Sequence, residues 1–114
     1  MFTAIIPKIP FMEKRETVDF YVSKLYFKIM SDYGDYLLME KEGLEIHSFH
    51  YPELIKEKSD FMLYIRVSDI ENLYVSLQEH GVNIHSQGKL EAKPWGQKEF
   101  SVIDPAGTLL TFGA

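Results

Sequence analysis

FMLYIRVSDIENLYVSLQEHG, residues 61–81, carries the pattern from which the fold can be read. Phe61, Leu63, Ile65 and Val67 alternate with Met62, Tyr64 and Arg66, the period-two rhythm of a strand with one apolar face. Ser68-Asp69-Ile70-Glu71 reads as a capping box, in which the Ser68 hydroxyl accepts from the Glu71 amide and the Glu71 carboxylate reaches back. Ile70, Leu73, Tyr74 and Leu77 then recur at helical spacing, and Gly81 is placed to end the helix.

The same order occurs earlier in the chain. Residues 3–9 are apolar and β-branched, and Pro7 makes them an edge or bulged strand. Between Glu13 and Leu25, Val18, Tyr21, Val22 and Leu25 form one helical stripe. Strands are expected at 27–32, 35–40 and 43–50, separated by turn signals at Asp32 to Gly34 and Lys41 to Gly43. After Gly81, strands are expected at 82–85, 98–103 and 108–112, the last two joined by Asp104-Pro105-Ala106-Gly107. The segment from Glu16 to Ile29 aligns in element order with Glu71 to Ile84, about 55 residues later. The reading is an α+β chain, a single domain over 1–114, made of two βαβββ modules. Module one is 1–50, the connection is 51–60 and module two is 61–114. Each module covers one face of its sheet with a helix and leaves the other bare, so pairing two units to enclose a space is physically sensible.

Composition narrows the function. A hydrophobic content of 46% over 114 residues can supply a core without disulfides or a structural metal. Cysteine is absent, which removes thiolate metal sites and cysteine nucleophiles. A net charge of -5 disfavours phosphate backbones, so nucleic acid is not expected as a partner and a neutral or cationic small molecule suits better. No apolar run approaches the ~20 residues that cross a bilayer, and Met1 to Lys8 lacks a signal-peptide pattern. No membrane association and a cytoplasmic location are expected.

The closing segment is specific. Pro94-Trp95-Gly96, then Glu99-Phe100, then Asp104-Pro105-Ala106-Gly107 and a final strand ending in Phe112 resemble the end of bleomycin-resistance proteins. Those belong to the glyoxalase/bleomycin-resistance/dioxygenase (vicinal oxygen chelate) superfamily. Pro7 to Pro10 and Phe20-Tyr21 look like the family's first strand and helix. The resemblance covers essentially the whole chain. It implies two βαβββ modules forming a curved mixed sheet around a cleft, in a homodimer with clefts lined by both subunits and an N-terminal strand exchanged. It also marks a departure: Tyr26 stands where a glycine usually follows the first helix.

Enzymes of this superfamily hold a divalent metal on His, Glu or Gln at four strand positions. The resemblance puts these at Ile6, Glu45, Met62 and Thr111. Only Glu45 is a suitable ligand; a thioether is a poor donor to a hard cation, and isoleucine is no donor. No metal and no cofactor is therefore expected. His47 and His50, three apart on a strand, point to opposite faces, whereas Glu45 and His47 share one and could do acid–base work.

Alternation assigns the faces. Leu37, Met39, Leu44, Ile46, Leu110 and Phe112 read as core, with Tyr36, Leu38, Glu45, His47, Phe49, Leu109 and Thr111 opposite. Met62, Tyr64 and Arg66 face the cleft, and the resemblance adds Glu99 and Ser101. In bleomycin-binding relatives, the tryptophan of Pro-Trp-Gly and an aromatic of the third strand sandwich the drug's flat rings; the matching positions are Trp95 and Tyr36. The expected ligand-binding set is Tyr36, Leu38, Glu45, His47, Met62, Tyr64, Arg66, Trp95, Glu99, Ser101 and Thr111. The expected function is non-catalytic sequestration of a small aromatic or cationic drug or metabolite. The alternatives are a metal-dependent glyoxalase- or dioxygenase-type enzyme rearranged around Glu45 and His47, and an interaction domain with a vestigial cleft.

Overall fold

The computed structural model describes residues 1–114. Two four-stranded mixed sheets carry the molecule. The first is built from β1 (Lys8–Phe11), β2 (Lys28–Asp32), β3 (Tyr36–Lys41) and β4 (Leu44–His50), in the order β1-β4-β3-β2. The second contains β5 (Met62–Arg66), β6 (Glu91–Ala92), β7 (Lys98–Ile103) and β8 (Leu109–Gly113), in the order β5-β8-β7-β6. The plan repeats. Each leading strand runs parallel to the last strand of its module, and the other pairs are antiparallel.

The helices join the modules. Helix α1 (Lys14–Val18) continues as a π-helical stretch, Asp19–Lys24. The Leu25 amide donates to the Phe20 carbonyl at 3.0 Å, five residues back. The wider turn moves the buried stripe to Thr17, Phe20, Tyr21 and Leu25, leaving the expected Val18 and Val22 half-buried. Helix α2 (Ile70–Glu79) buries Ile70 and Leu77, with Leu73 and Tyr74 packed against the core as expected, and Gly81 at φ +82° closes it. One cluster of 16 buried apolar residues draws on both sheets and both helices.

Several expectations need correction. The strand expected at 3–9 begins only at Lys8, and no backbone hydrogen bond precedes the one accepted by the Pro7 carbonyl. The capping box does not form. Asp69 is the N-cap and its carboxylate accepts from Asn72 at 2.7 Å, while Glu71 pairs with Lys98. The expected strand at 82–85 is a single bridge, Ile84 to Val102, and the sheet edge is supplied instead by the two-residue β6. Leu44 shares parity with the buried Ile46 but is 61% exposed, because it lies at the strand end on the wall of an open groove.

Candidate functional site

The sheet faces turned away from the core hold all the expected ligand-binding strand residues. On the first sheet, register puts Leu38 beside His47 and Glu40 beside Glu45. His47 is the centre of a polar chain. Its Nε2 lies 2.5 Å from Glu45 Oε2, and its Nδ1 lies 2.8 Å from the Tyr36 hydroxyl. With Glu45 ionised, Nε2 carries the proton and donates to it, and Nδ1 accepts from Tyr36. The Tyr36 ring stands edge-on to His47, and the Lys8 ammonium sits 5.3 Å from its centroid. One face of Tyr36 is thus already taken by a cation.

The second sheet is organised around a carboxylate. Glu99 Oε2 accepts from the Tyr64 hydroxyl at 2.7 Å and from the Trp95 indole N–H at 3.0 Å. These two donors, the indole first, hold Glu99 below the usual carboxylate range, with Lys93 and Arg66 adding to the effect. The same bond to Glu99 raises the Tyr64 phenol. Trp95 is 64% exposed, so its N–H is pinned while its ring face stays open. Arg66 donates to Gln97 at 3.0 Å and lies 5.5 Å from the Tyr64 centroid. Ser101 and Thr111, paired in register, share a hydrogen bond of 2.9 Å, and Met62 stands exposed at the start of β5.

Two contributors escaped the sequence reading. Gly113 pairs with both Glu99 and Arg66 in register. A Cβ there would land on the Tyr64 hydroxyl, so the missing side chain is what lets the phenol reach Glu99. His85 lines a recess of ≈ 370 Å³ with Met62 and Ser101, and its Nδ1 accepts from the Gln87 amide at 3.1 Å. Neither residue has a motif; only strand pairing brings them to the site.

Within one chain these residues form two groups. Tyr36, Leu38, Glu45 and His47 share the first sheet. Met62, Tyr64, Arg66, Glu99, Ser101 and Thr111 share the second, with Trp95 above it. No strand pairing joins the sheets, and each of the polar contacts above stays within its own group.

The four positions matched to metal ligands do not fit a hard cation. Ile6 has no donor, Met62 offers a thioether, Glu45 is engaged by His47 and Thr111 by Ser101. No group of three or more His, Asp or Glu side chains is placed to hold an ion.

The repeated βαβββ modules, with sheet faces lined by aromatic, hydroxyl and charged groups, define the architectural class of the chain. Residues 2–114 match the family model of the glyoxalase-like domain, and the chain belongs to that family. Its relatives include a bleomycin resistance protein of Klebsiella pneumoniae, 27% identical over 109 residues, covering 91% of this chain and 86% of that protein. The crystal structure of a bleomycin resistance determinant encoded on transposon Tn5 superposes with a TM-score of 0.88 at 25% identity, covering 98% of this chain and 97% of that one. A bleomycin-binding protein solved with bleomycin bound gives the same TM-score of 0.88 and 25% identity, covering 98% of each chain. These matches support the bleomycin-resistance branch of the superfamily.

Proposed function

We propose that this chain binds and sequesters a small organic ligand without turning it over, in a hollow formed by two copies. The first sheet of one copy would face the second sheet of the other, giving a curved sheet around each of two clefts. The observation that carries this reading is Trp95: Glu99 pins its N–H, and its open ring face is presented beside Tyr64 and Arg66. A rigid aromatic platform with a few polar groups at its edge suits a flat, partly polar or cationic ligand. The bleomycin-class glycopeptides named for the relatives are the first candidates.

Two features support the paired arrangement. Strands β1 and β5 are free edges. Residues 1–6 make no backbone hydrogen bonds, and they expose Met1, Phe2 and Ile5, three large apolar side chains that an exchanged N-terminal strand would bury. A cytoplasmic place of action belongs to the same proposal. No helix is long and apolar enough to cross a membrane.

Titration with bleomycin-class glycopeptides, followed by Trp95 fluorescence, tests the proposal. Trp95 is the sole tryptophan, so the signal is local. Saturable quenching with one ligand per cleft is expected; an unchanged spectrum across the class would remove the drug reading.

A further inference from the structure

The internal repeat places a groove on the core side of the sheets, which shares Arg66 with the second sheet's recognition face. In module two, the turn after β7 folds against α1. Asp104 and Ala106 are buried there, and the Tyr21 hydroxyl donates to Asp104 at 2.5 Å. In module one the corresponding turn, Glu42-Gly43 between β3 and β4, makes no such closure with α2. The space between them is an open groove of ≈ 610 Å³, bordered by Lys41, Glu42 and Leu44 on one side and Leu73 and Leu77 on the other. That volume lies in the range of small-molecule sites, roughly 300–1,000 Å³.

Two non-glycine residues of the chain have left-handed backbones, Tyr26 at φ +64° and Glu42 at φ +54°, and both line the groove. Tyr26 is fixed there. Its hydroxyl donates to His80 Nε2 at 2.5 Å, and His80 Nδ1 donates in turn to the Ser76 carbonyl at 2.7 Å. Tyr26 follows the helix C-cap Leu25 and Glu42 opens the two-residue turn to Gly43, so the helix end and the hairpin turn set both left-handed conformations and place both residues on the groove wall. The floor is apolar, with Leu25, Phe27, Ile65 and Val67.

Charge selects the occupant. Lys24 and Lys41 stand at the rim, and their carboxylate partners are distant, Asp19 at 3.7 Å and Glu42 at 4.0 Å. Lys41 leans over the Tyr26 ring, 5.8 Å from its centroid. Two carboxylates also line the groove, Asp69, which accepts from Asn72, and Glu42 beside Lys41; Arg66, which donates to Gln97, is a third lining cation. Two loosely held ammonium groups above an apolar floor match an amphipathic anion at this groove, against the chain's overall negative charge. We infer that this groove is a second binding site for a small amphipathic carboxylate, its apolar body on Leu25, Phe27 and Ile65 and its carboxylate between Lys24 and Lys41.

The test is titration of the ¹⁵N-labelled full chain with decanoate, and separately with decanol. Decanoate should give saturable amide shifts at Tyr26, Phe27 and Glu42 and leave Trp95 emission unchanged. The pair Lys24→Gln and Lys41→Gln should weaken decanoate by about two- to fivefold per charge while decanol affinity stays the same. Leu44→Ala should weaken both. Absence of saturable shifts, or shifts centred on Tyr64 and Ser101, would overturn the assignment. So would shifts at Tyr26 and Glu42 that follow protein concentration without decanoate, because a second copy would then be the occupant. None of these outcomes bears on glycopeptide binding, which Trp95 reports separately.

Discussion

Two tyrosine–carboxylate hydrogen bonds, Tyr21 to Asp104 and Tyr64 to Glu99, use the same chemistry in opposite surroundings. The first is buried between the modules, at 2.5 Å. Burial pushes the Tyr21 phenol well above its ordinary value, and the neighbouring Asp104 charge adds to it. Burial also raises Asp104, against the pull of its bonds from Tyr21 and from the Thr108 and Ala106 amides. The second pair lies at the recognition face, where the Trp95 and Tyr64 donors outweigh desolvation and lower Glu99. The difference separates two tasks: one pair locks the first helical segment to the β7–β8 turn, and the other fixes an exposed indole, the platform of the proposed ligand site.

The comparison breaks first at Tyr21. Tyr21→Phe should destabilise the chain by about 1–3 kcal/mol, because buried Asp104 keeps its desolvation cost and loses a donor. Denaturant unfolding would measure this, with ligand affinity unchanged in the folded protein. Trp95→Ala should do the reverse: about tenfold or more lost in affinity, as for a central aromatic anchor, with little change in unfolding. Gly113→Ala should follow, weakening binding by displacing Tyr64 from Glu99 and altering Trp95 emission. Equal effects of Tyr21→Phe and Trp95→Ala on both readouts would erase the division of labour.

The smallest effects are in pH, and they run in opposite directions. Glu99 is lowered, so the stability and indole positioning it provides are present above the ordinary carboxylate pKa and are lost as pH falls through its lowered value. Trp95 emission should therefore change only at a pH below that of an ordinary glutamate. Tyr21 and Asp104 are raised, so each contributes stability below its unfolded pKa and loses it as pH rises through the folded one. Asp104 is the group that resists ionising on the way to neutrality. Tyr21 makes the fold sensitive above the ordinary tyrosine range, and Tyr21→Phe should remove that alkaline limb.

Period and turn chemistry made most of the fold legible. The pattern of β5 and α2 and the Asp-Pro-Ala-Gly turn fall where alternation, helical spacing and proline–glycine preferences place them. The π-helical turn after Val18 was not legible, because an inserted residue shifts the stripe without changing which residues are apolar. Residues 3–9 read as strand by propensity, yet strand needs a partner, and one chain offers none before Lys8. The faces of β3, β4, β5 and β8 followed from alternation, and the matched motif added Glu99 and Ser101. The links among these residues did not follow: His47 joining Tyr36 to Glu45, and Glu99 joining Tyr64 to Trp95, depend on cross-strand register that no local pattern encodes.

The most direct measurement incubates the protein with a saturating bleomycin-class glycopeptide, with and without added divalent cations, and then recovers the ligand for mass spectrometry. Recognition without reaction predicts a tight, stoichiometric complex that releases the ligand chemically unchanged in either condition. Recovery of a modified compound in proportion to time and protein, above all one that needs the cation, would contradict the account.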